Sequence, residues 1–335
     1  MLAVEQLALL AMHPPGPRGH NPTREGCRRD GPLMSGNAGI VSMPVERSRP
    51  AIGSHVAVGG GLVRVGLREA EEVEAEVIQI FASNPRAWRP SRVDPRLDVL
   101  FRERCAELSV PVFVHASHLI NLGSPSAQTR ESSITLLAHT LRRAADLGAR
   151  GVVVHAGTSV SRGRREVALG ALHDLVGRLL DEVREQVQLL IEPTAGGGEA
   201  LASTVDSTIE YLAALDDERV GVCLDTCHLH AAGEPMTTAT GVQHTVGRVA
   251  ASIGAERVGL IHVNDSRDAS GSRRDRHESL GNGQIGVEAF AGLFLSPELA
   301  SVPMLVETPS HREDVAFLKS QRSLVSRVTI TPTSQ

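Results

Sequence analysis

Six short apolar runs in this 335-residue chain each close on a side chain able to bind a metal ion: VFV-His115, VVV-His155, LLI-Glu192, VCL-Asp225, GLI-His262 and MLV-Glu307. Three more candidates stand outside those runs. His228 follows Asp225 by three residues in DTCH, and Asp275 and His277 flank Arg276 in RRDRHESLG. An Asp-x-His pair in extended backbone points both side chains the same way, because side-chain direction repeats every two residues. Such a pair can grip one ion. The nine residues are five imidazoles and four carboxylates with no thiolate, a donor set that suits Zn²⁺, with Mn²⁺ possible at one site. A carboxylate at the end of a buried run is costly unless a cation or proton neutralises it. Glu192, Asp225 and Glu307 repeat that cost three times, which favours metal over separate structural roles. Nine ligands exceed what one or two tetrahedral ions need. Shared through a bridging carboxylate they suit three, and clustered divalent ions favour phosphoryl chemistry. Phosphate esters are the expected substrate class.

Positioning these residues requires strands that all end on one side. Val/Ile/Leu runs of four to six residues read as strands buried on both faces of a parallel sheet. From about residue 51 such runs alternate with stretches of helical pattern: AIGSHV then GLVRVGLREAEE, VIQIF then PRLDVLFRERCAEL, VPVFV then SSITLLAHTLRRAADLG. The alternation continues to VPMLV and REDVAFLKS, giving eight strand–helix units. Gly148 and Gly254 stand where helix C-terminal glycines belong. Eight such units in one domain predict an α/β fold, a closed (β/α)8 TIM barrel, with its active site at the C-terminal face of the strands. A doubly wound open sheet is the alternative, but the VGGG of Val58–Gly61 is not a dinucleotide fingerprint and no P-loop occurs. The predicted domain runs over 51–325. Residues 1–50, dense in Pro, Gly, Arg and Asn, read as a disordered extension, and 326–335 as a C-terminal tail.

Composition narrows the chemistry. Of 34 basic residues, 33 are arginine and one is lysine, Lys319, in a stretch that reads as an outer helix. Schiff-base mechanisms need a lysine, so imine chemistry is not expected. No run approaches the length of a membrane helix, and the N-terminal MLAVEQLALLAMH lacks a basic flank and carries Glu5, a poor signal peptide. Four cysteines in no disulfide-like framework fit a reducing cytoplasm. Cys223 and Cys227 are expected to pack, and His13, His20, His139, His173, His244 and His311 to be solvated.

The same residues lie in longer strings: IGSHV, HLINLGSP after His115, IEPTAGGG at Glu192, VCLDTCH, IHVNDSRD and GSRRDRHESLGNGQIG. Together, from Ile52 to Lys319, they resemble the endonuclease IV family, zinc-dependent apurinic/apyrimidinic (AP) endonucleases. The resemblance implies a TIM barrel with three zinc ions that acts as a monomer on duplex DNA, cutting 5′ to an abasic site. It implies attack on phosphorus by a metal-bridging hydroxide, leaving a 3′-hydroxyl and a 5′-deoxyribose phosphate. Carried over by position, His115, His155 and Glu192 hold one ion, and Glu192 bridges to a second completed by Asp225, His262 and Glu307. His228, Asp275 and His277 hold the third. Glu192 and Glu307 are then the catalytic carboxylates. Arg86 in NPRAWRP matches an arginine inserted into DNA, His118 and Leu119 match a stack-filling pair, and His55 matches an active-site histidine. Three departures stand out: His118 occupies a place where tyrosine is usual, Pro193 replaces an asparagine, and residues 1–50 have no counterpart. The competing readings are a xylose-isomerase-like sugar isomerase or epimerase using one or two divalent ions, and a non-catalytic DNA-binding protein. The latter is expected only if ligands were missing, and none is.

Overall fold

The computed structural model describes residues 49–183 and 187–330. The described residues fall in one compact unit, which begins at Arg49. The expected disordered extension therefore lies outside the described residues, apart from its last two positions. Among the described residues there are ten strands: β1 (Ile52–His55), β2 (Ile78–Phe81), β3 (Val112–His115), β4 (Gly151–His155), β5 (Gln188–Glu192), β6 (Val220–Asp225), β7 (Val258–His262), β8 (Asp265–Ser266), β9 (His277–Glu278) and β10 (Met304–Val306). Eight of them close into a parallel barrel in the order β1-β10-β7-β6-β5-β4-β3-β2, while β8 and β9 form a separate antiparallel pair. The predicted eight-stranded parallel barrel is thus the observed fold.

The outer helices are α1 (Arg68–Glu72), α2 (Pro95–Glu107), α3 (Ala127–Asp146), α4 (Arg165–Gly170), α5 (Leu172–Val183), α6 (Val205–Leu215), α7 (Thr226–Ala232), α8 (Ala239–Ile253), α9 (Val287–Leu295) and α10 (His311–Ile330). A π-helical turn, Leu62–Leu67, leads into α1. Local sequence explains several boundaries. Asp94 caps α2 by accepting from the Arg96 N–H at 3.0 Å with Pro95 in the first turn, and Thr204 with Ser207 forms a reciprocal capping box on α6. Gly148 follows α3 at φ +70° and Gly254 closes α8 at φ +93°, a left-handed backbone that favours glycine. α10 continues through Ile330, so the tail boundary expected at 325 falls inside a helix: SLVSRVTI carries on the helical register without a breaker.

Strand alternation creates two cores. Outward-facing residues such as Ile52, Ile80, Val114, Val152, Ile191 and Val306 pack under the helices in one large cluster. Inward-facing Val77, Phe113, Val153, Leu190, Cys223, Leu260 and Leu305 form a second, smaller plug inside the barrel. Side chains in a strand repeat direction every two residues. Adding two to each plug residue gives Gln79, His115, His155, Glu192, Asp225, His262 and Glu307. Six are the strand-end ligand candidates, and they form the next layer up, above a dry floor. On β1 the corresponding floor position is Gly53, where a Cβ would lie 1.6 Å from the Val77 carbonyl oxygen, so only glycine lets β1 and β2 approach.

At the opposite end the chain is tied shut. Arg322 on α10 donates to the Pro50 carbonyl at 2.6 Å and to both Glu76 oxygens, and Glu76 accepts from the Ile52 N–H at 3.1 Å. Lys319 donates to the Glu74 carbonyl at 2.5 Å in the same place. The sole lysine is thus at the barrel bottom, as far as the strands extend from the ligand layer. No described helix is long and apolar enough to cross a membrane.

Candidate metal centre

Glu192 is the hub of the C-terminal mouth. It is 1% exposed and its two oxygens face four imidazoles. Oε2 lies 3.2 Å from His115 Nε2 and 3.4 Å from His155 Nε2; Oε1 lies 3.1 Å from His262 Nδ1 and 3.3 Å from His228 Nδ1. On the far side of His262, Nδ1 is 3.3 Å from Glu307 Oε2 and 4.0 Å from Asp225 Oδ2. A third group closes nearby: His228 Nε2 is 3.2 Å from Asp275 Oδ2, and His277 Nε2 is 3.1 Å from Asp275 Oδ1 and 3.6 Å from Asp225 Oδ2. All nine sequence-predicted ligands converge. Within each of two sets, Glu192–Asp225–His262–Glu307 and His228–Asp275–His277, the donor atoms lie within 4.8 Å of one another.

The donor chemistry fits divalent ions. His228 Nε2 and His277 Nε2 are buried and make no well-directed hydrogen bond, although carboxylate oxygens lie close by, so an ion that displaces their protons meets two uncommitted nitrogens. In His115, His228 and His262 the opposite ring nitrogen is fixed by a partner that orients the ring, as metal-ligating histidines require. His115 Nδ1 donates to the Ala116 carbonyl at 2.7 Å, and His228 Nδ1 to the Pro193 carbonyl at 3.0 Å. Position 193 therefore contributes through its backbone, and the proline found there keeps that contact. His262 Nε2 donates to Gln79 Oε1 at 3.0 Å, which leaves Nδ1 to face Glu192 and Glu307.

Charges at this mouth are strongly coupled. Burial would push the Glu192 carboxyl up, but His262, His155 and His115 together hold it well below the usual carboxylate range. Glu307 is likewise held well below it, burial being outweighed by His262 and His55. Burial opposes a proton on His228, yet Asp225, Asp275 and Glu192 raise it well above the usual imidazole value. Burial opposes one on His262 too, and there Cys223, Glu307 and Glu192 outweigh it and raise the ring well above that value. His277 rises to about 9: burial again opposes the proton, and the Asp225 and Asp275 carboxylates overcome it. In the metal-free chain these imidazoliums supply positive charge where bound cations would otherwise supply it. His155 behaves differently: burial, opposed by Glu192, pushes it down to about 4, so it stays neutral and ready to donate a lone pair.

Several supporting residues were not evident from the sequence. Gln79 donates to Glu307 Oε1 at 2.7 Å and sits 3.0 Å from His55 Nδ1, besides holding His262. A polar residue inside VIQIF was the available signal. Asn264 donates to Asp225 Oδ2 at 2.6 Å and accepts from the Glu307 N–H at 2.8 Å, joining two ligands. Asp225 also caps α7, its Oδ1 accepting from the His228 N–H at 2.8 Å, so one side chain fixes the next ligand's backbone. Buried Asp265 accepts from the N–H groups of Ser266, Gly281, Gly283 and Ile285. The SLGNGQIG string is therefore a loop wrapped round one carboxylate. Gly283 has no room for a Cβ there, since the Ser266 carbonyl oxygen would be 2.4 Å away. That wrapping braces β9 and hence His277.

The remaining predicted residues sit round the mouth. His55 Nδ1 is 3.3 Å from Glu307 Oε1. His118 and Leu119 lie on the loop after β3, and Arg86 is exposed on the loop after β2. The Pro85 carbonyl accepts from the His118 N–H at 3.1 Å and the Ser117 hydroxyl at 2.8 Å, so the two loops are stitched together. An open cleft of about 910 Å³ runs from His55, Glu307 and His277 past His118 to Asn84, Arg92 and Leu97. Cys223 and Cys227 pack as expected; both are fully buried, and burial pushes the Cys223 thiol up to about 12. Three of the histidines expected to be solvated are not: the Nε2 of half-buried His139 is buried without a hydrogen-bond partner, and two others are engaged by neighbours. His173 Nδ1 donates to the Leu215 carbonyl at 2.8 Å and His311 Nδ1 lies 3.3 Å from Glu69 Oε1, because both rings fall on helix ends beside neighbouring elements. His13 and His20 lie outside the described residues.

Barrel and mouth together define a xylose isomerase-like TIM barrel, and the profile of that family matches residues 67–325. A probable endonuclease 4 from Streptomyces coelicolor is 44% identical over 86% of this chain and 99% of its own length. The crystal structure of endonuclease IV from Thermus thermophilus superposes with a TM-score of 0.71 at 33% identity, covering 83% of this chain and 100% of that one. A D-tagatose 3-epimerase-like protein also superposes, at TM-score 0.63 but 17% identity, a likeness of fold alone. The chain is an enzyme that belongs to the endonuclease IV family.

Proposed function

We propose that this enzyme is a DNA-repair endonuclease that hydrolyses the phosphodiester 5′ to abasic sites in duplex DNA, leaving a 3′-hydroxyl and a 5′-deoxyribose phosphate. The observation that carries the reading is the convergence of nine imidazole and carboxylate side chains, Glu192 at their hub, above an apolar barrel floor. Three zinc ions fit that set. His115, His155 and Glu192 would hold one; Asp225, His262 and Glu307, together with Glu192, a second; and His228, Asp275 and His277 the third. Bound divalent ions supply an ionised water near neutral pH and neutralise charge on the phosphate and leaving oxygen.

The chain's own residues perform the rest. Gln79, Asn264 and the Ala116 and Pro193 carbonyls hold ligands in one orientation, so little reorganisation accompanies reaction. The cleft beside His118 admits a nucleotide turned out of the helix, and the stitched Arg86 and His118–Leu119 loops are positioned to fill the space it leaves. Lys319 lies at the wrong end of the barrel for imine-based strand cleavage, which supports hydrolysis.

The test is a duplex carrying one tetrahydrofuran abasic analogue, which cannot form an imine. Fully metallated enzyme is expected to cut it 5′ to the lesion, with about three zinc ions per chain by elemental analysis. Intact duplex after prolonged incubation would sink the proposal.

A further inference from the structure

Three imidazoles, not two, gather where His115, His155 and Glu192 would hold an ion. The ring centroids of His115, His118 and His155 form a near-equilateral triangle: His115–His118 is 5.3 Å, His118–His155 5.3 Å and His115–His155 5.2 Å. A donor nitrogen from each ring lies within 4.8 Å of the others. Tetrahedral zinc with Zn–N bonds of about 2.0–2.1 Å places its donors roughly 3.4 Å apart, within small side-chain rotations of that arrangement. His118 is also held in place. Its N–H donates to the Pro85 carbonyl at 3.1 Å, and its ring stands edge-on to Phe81 at 5.4 Å.

We infer that His118 is a further protein ligand to the ion held by His115, His155 and Glu192 in the DNA-free enzyme. The inference rests on the three-zinc reading above and deepens it. With His118 added, that ion has three nitrogens and one carboxylate oxygen, a closed protein shell rather than an open one. The His118 ring would then have to leave that ion before it could act in the cleft. Zinc at this position is consequently retained more firmly in the free enzyme than three ligands alone achieve.

His118→Phe tests this, because phenylalanine keeps the packing against Phe81 but has no lone pair. Two readouts apply to the full-length protein: zinc release to a chromogenic chelator, and the visible spectrum after Co²⁺ replacement. One of the three ions is expected to leave at least about tenfold faster in His118→Phe, and the Co²⁺ bands to change in position or intensity. Unchanged release and an unchanged Co²⁺ spectrum would overturn the inference. His155→Ala separates this from the parent reading. If His155→Ala loses an ion while His118→Phe does not, only the role of His118 falls. If neither variant loses one, the zinc at this position is itself absent and both fall.

Discussion

Two halves of the mouth are built in different ways. His115, His155, Glu192, Asp225 and His262 end barrel strands, and Glu307 follows one, with each side chain two residues above the apolar floor. His228, Asp275 and His277 instead depend on a seven-residue helix and a two-residue strand pair. The first set inherits its geometry from the barrel's hydrogen-bond register, such as His155 opposite Glu192 and Asp225 opposite His262. The second is held by side chains: Asp225 capping α7, and Asp265 gathering four N–H groups. A rigid frame thus carries the shared carboxylate, and a braced loop carries the ligands that complete the site. Asp275 is accordingly half exposed while Glu192 is not.

Breaking the frame should have the largest effect. Glu192→Ala removes the carboxylate both halves face, so incision is expected to fall to background and more than one zinc to be lost per chain, by elemental analysis. Retained wild-type incision would refute its bridging position. Asp265→Asn sharpens the contrast, since it weakens the acceptor of four backbone N–H groups without touching a ligand. If the site holds the three proposed ions, one should be lost or bound far more weakly, with the strand-borne pair intact; equal loss of all would erase the distinction between halves. Gln79→Ala acts within the frame by freeing His262, and typical outer-sphere effects predict a drop of about 10–100-fold in metal affinity or activity.

A smaller effect distinguishes the loop half by pH. His277 titrates near 9 without metal, against an ordinary 6.5, because Asp225 and Asp275 outweigh burial. A raised value means that its proton stabilises the metal-free fold below about 6.5, and that this contribution fades as pH climbs through 9. Zinc must displace that proton, so affinity at the His228–Asp275–His277 position should rise with pH across this window. Isothermal titration in buffers of different ionisation enthalpy would count the proton released; a flat profile contradicts the assignment. Least of all, Lys319→Met should leave incision unchanged within about twofold, since Lys319 contacts only the barrel bottom.

The strand half was legible in sequence because two periodicities coincide there. Apolar runs mark strands buried on both faces, and a ligand two residues past an inward Phe, Val, Leu or Cys must point to the same interior. Gln79 obeys the same rule but escaped notice, since glutamine is a poor metal ligand and only its contacts with His262 and Glu307 disclose its work. The loop half was legible only as motif. DRHESLGNGQIG signals the family, yet nothing in the string says that Asp265, ten residues upstream of Asp275, is the acceptor that shapes it. Asn264 was hidden for a related reason: its bonds reach Asp225 and Glu307 across 39 and 43 residues. Helix ends at Gly148 and Gly254 were readable because a left-handed backbone leaves a residue-type signature, whereas nothing in the residues after 325 marked a stop, and α10 runs on.

The clasp at the barrel bottom has a consequence for how the enzyme is made. β1 pairs with both β2 and β10, and Arg322 reaches Pro50 across 272 residues. During synthesis, which proceeds from the N-terminus, one edge of β1 stays open until β10, the last described strand, has left the ribosome. Unpaired edges invite misassembly. His115, His155 and Glu192 are complete long before Glu307 exists, so an early zinc could pin the half-finished sheet together. Metal supply would then govern the yield of folded enzyme as well as its turnover.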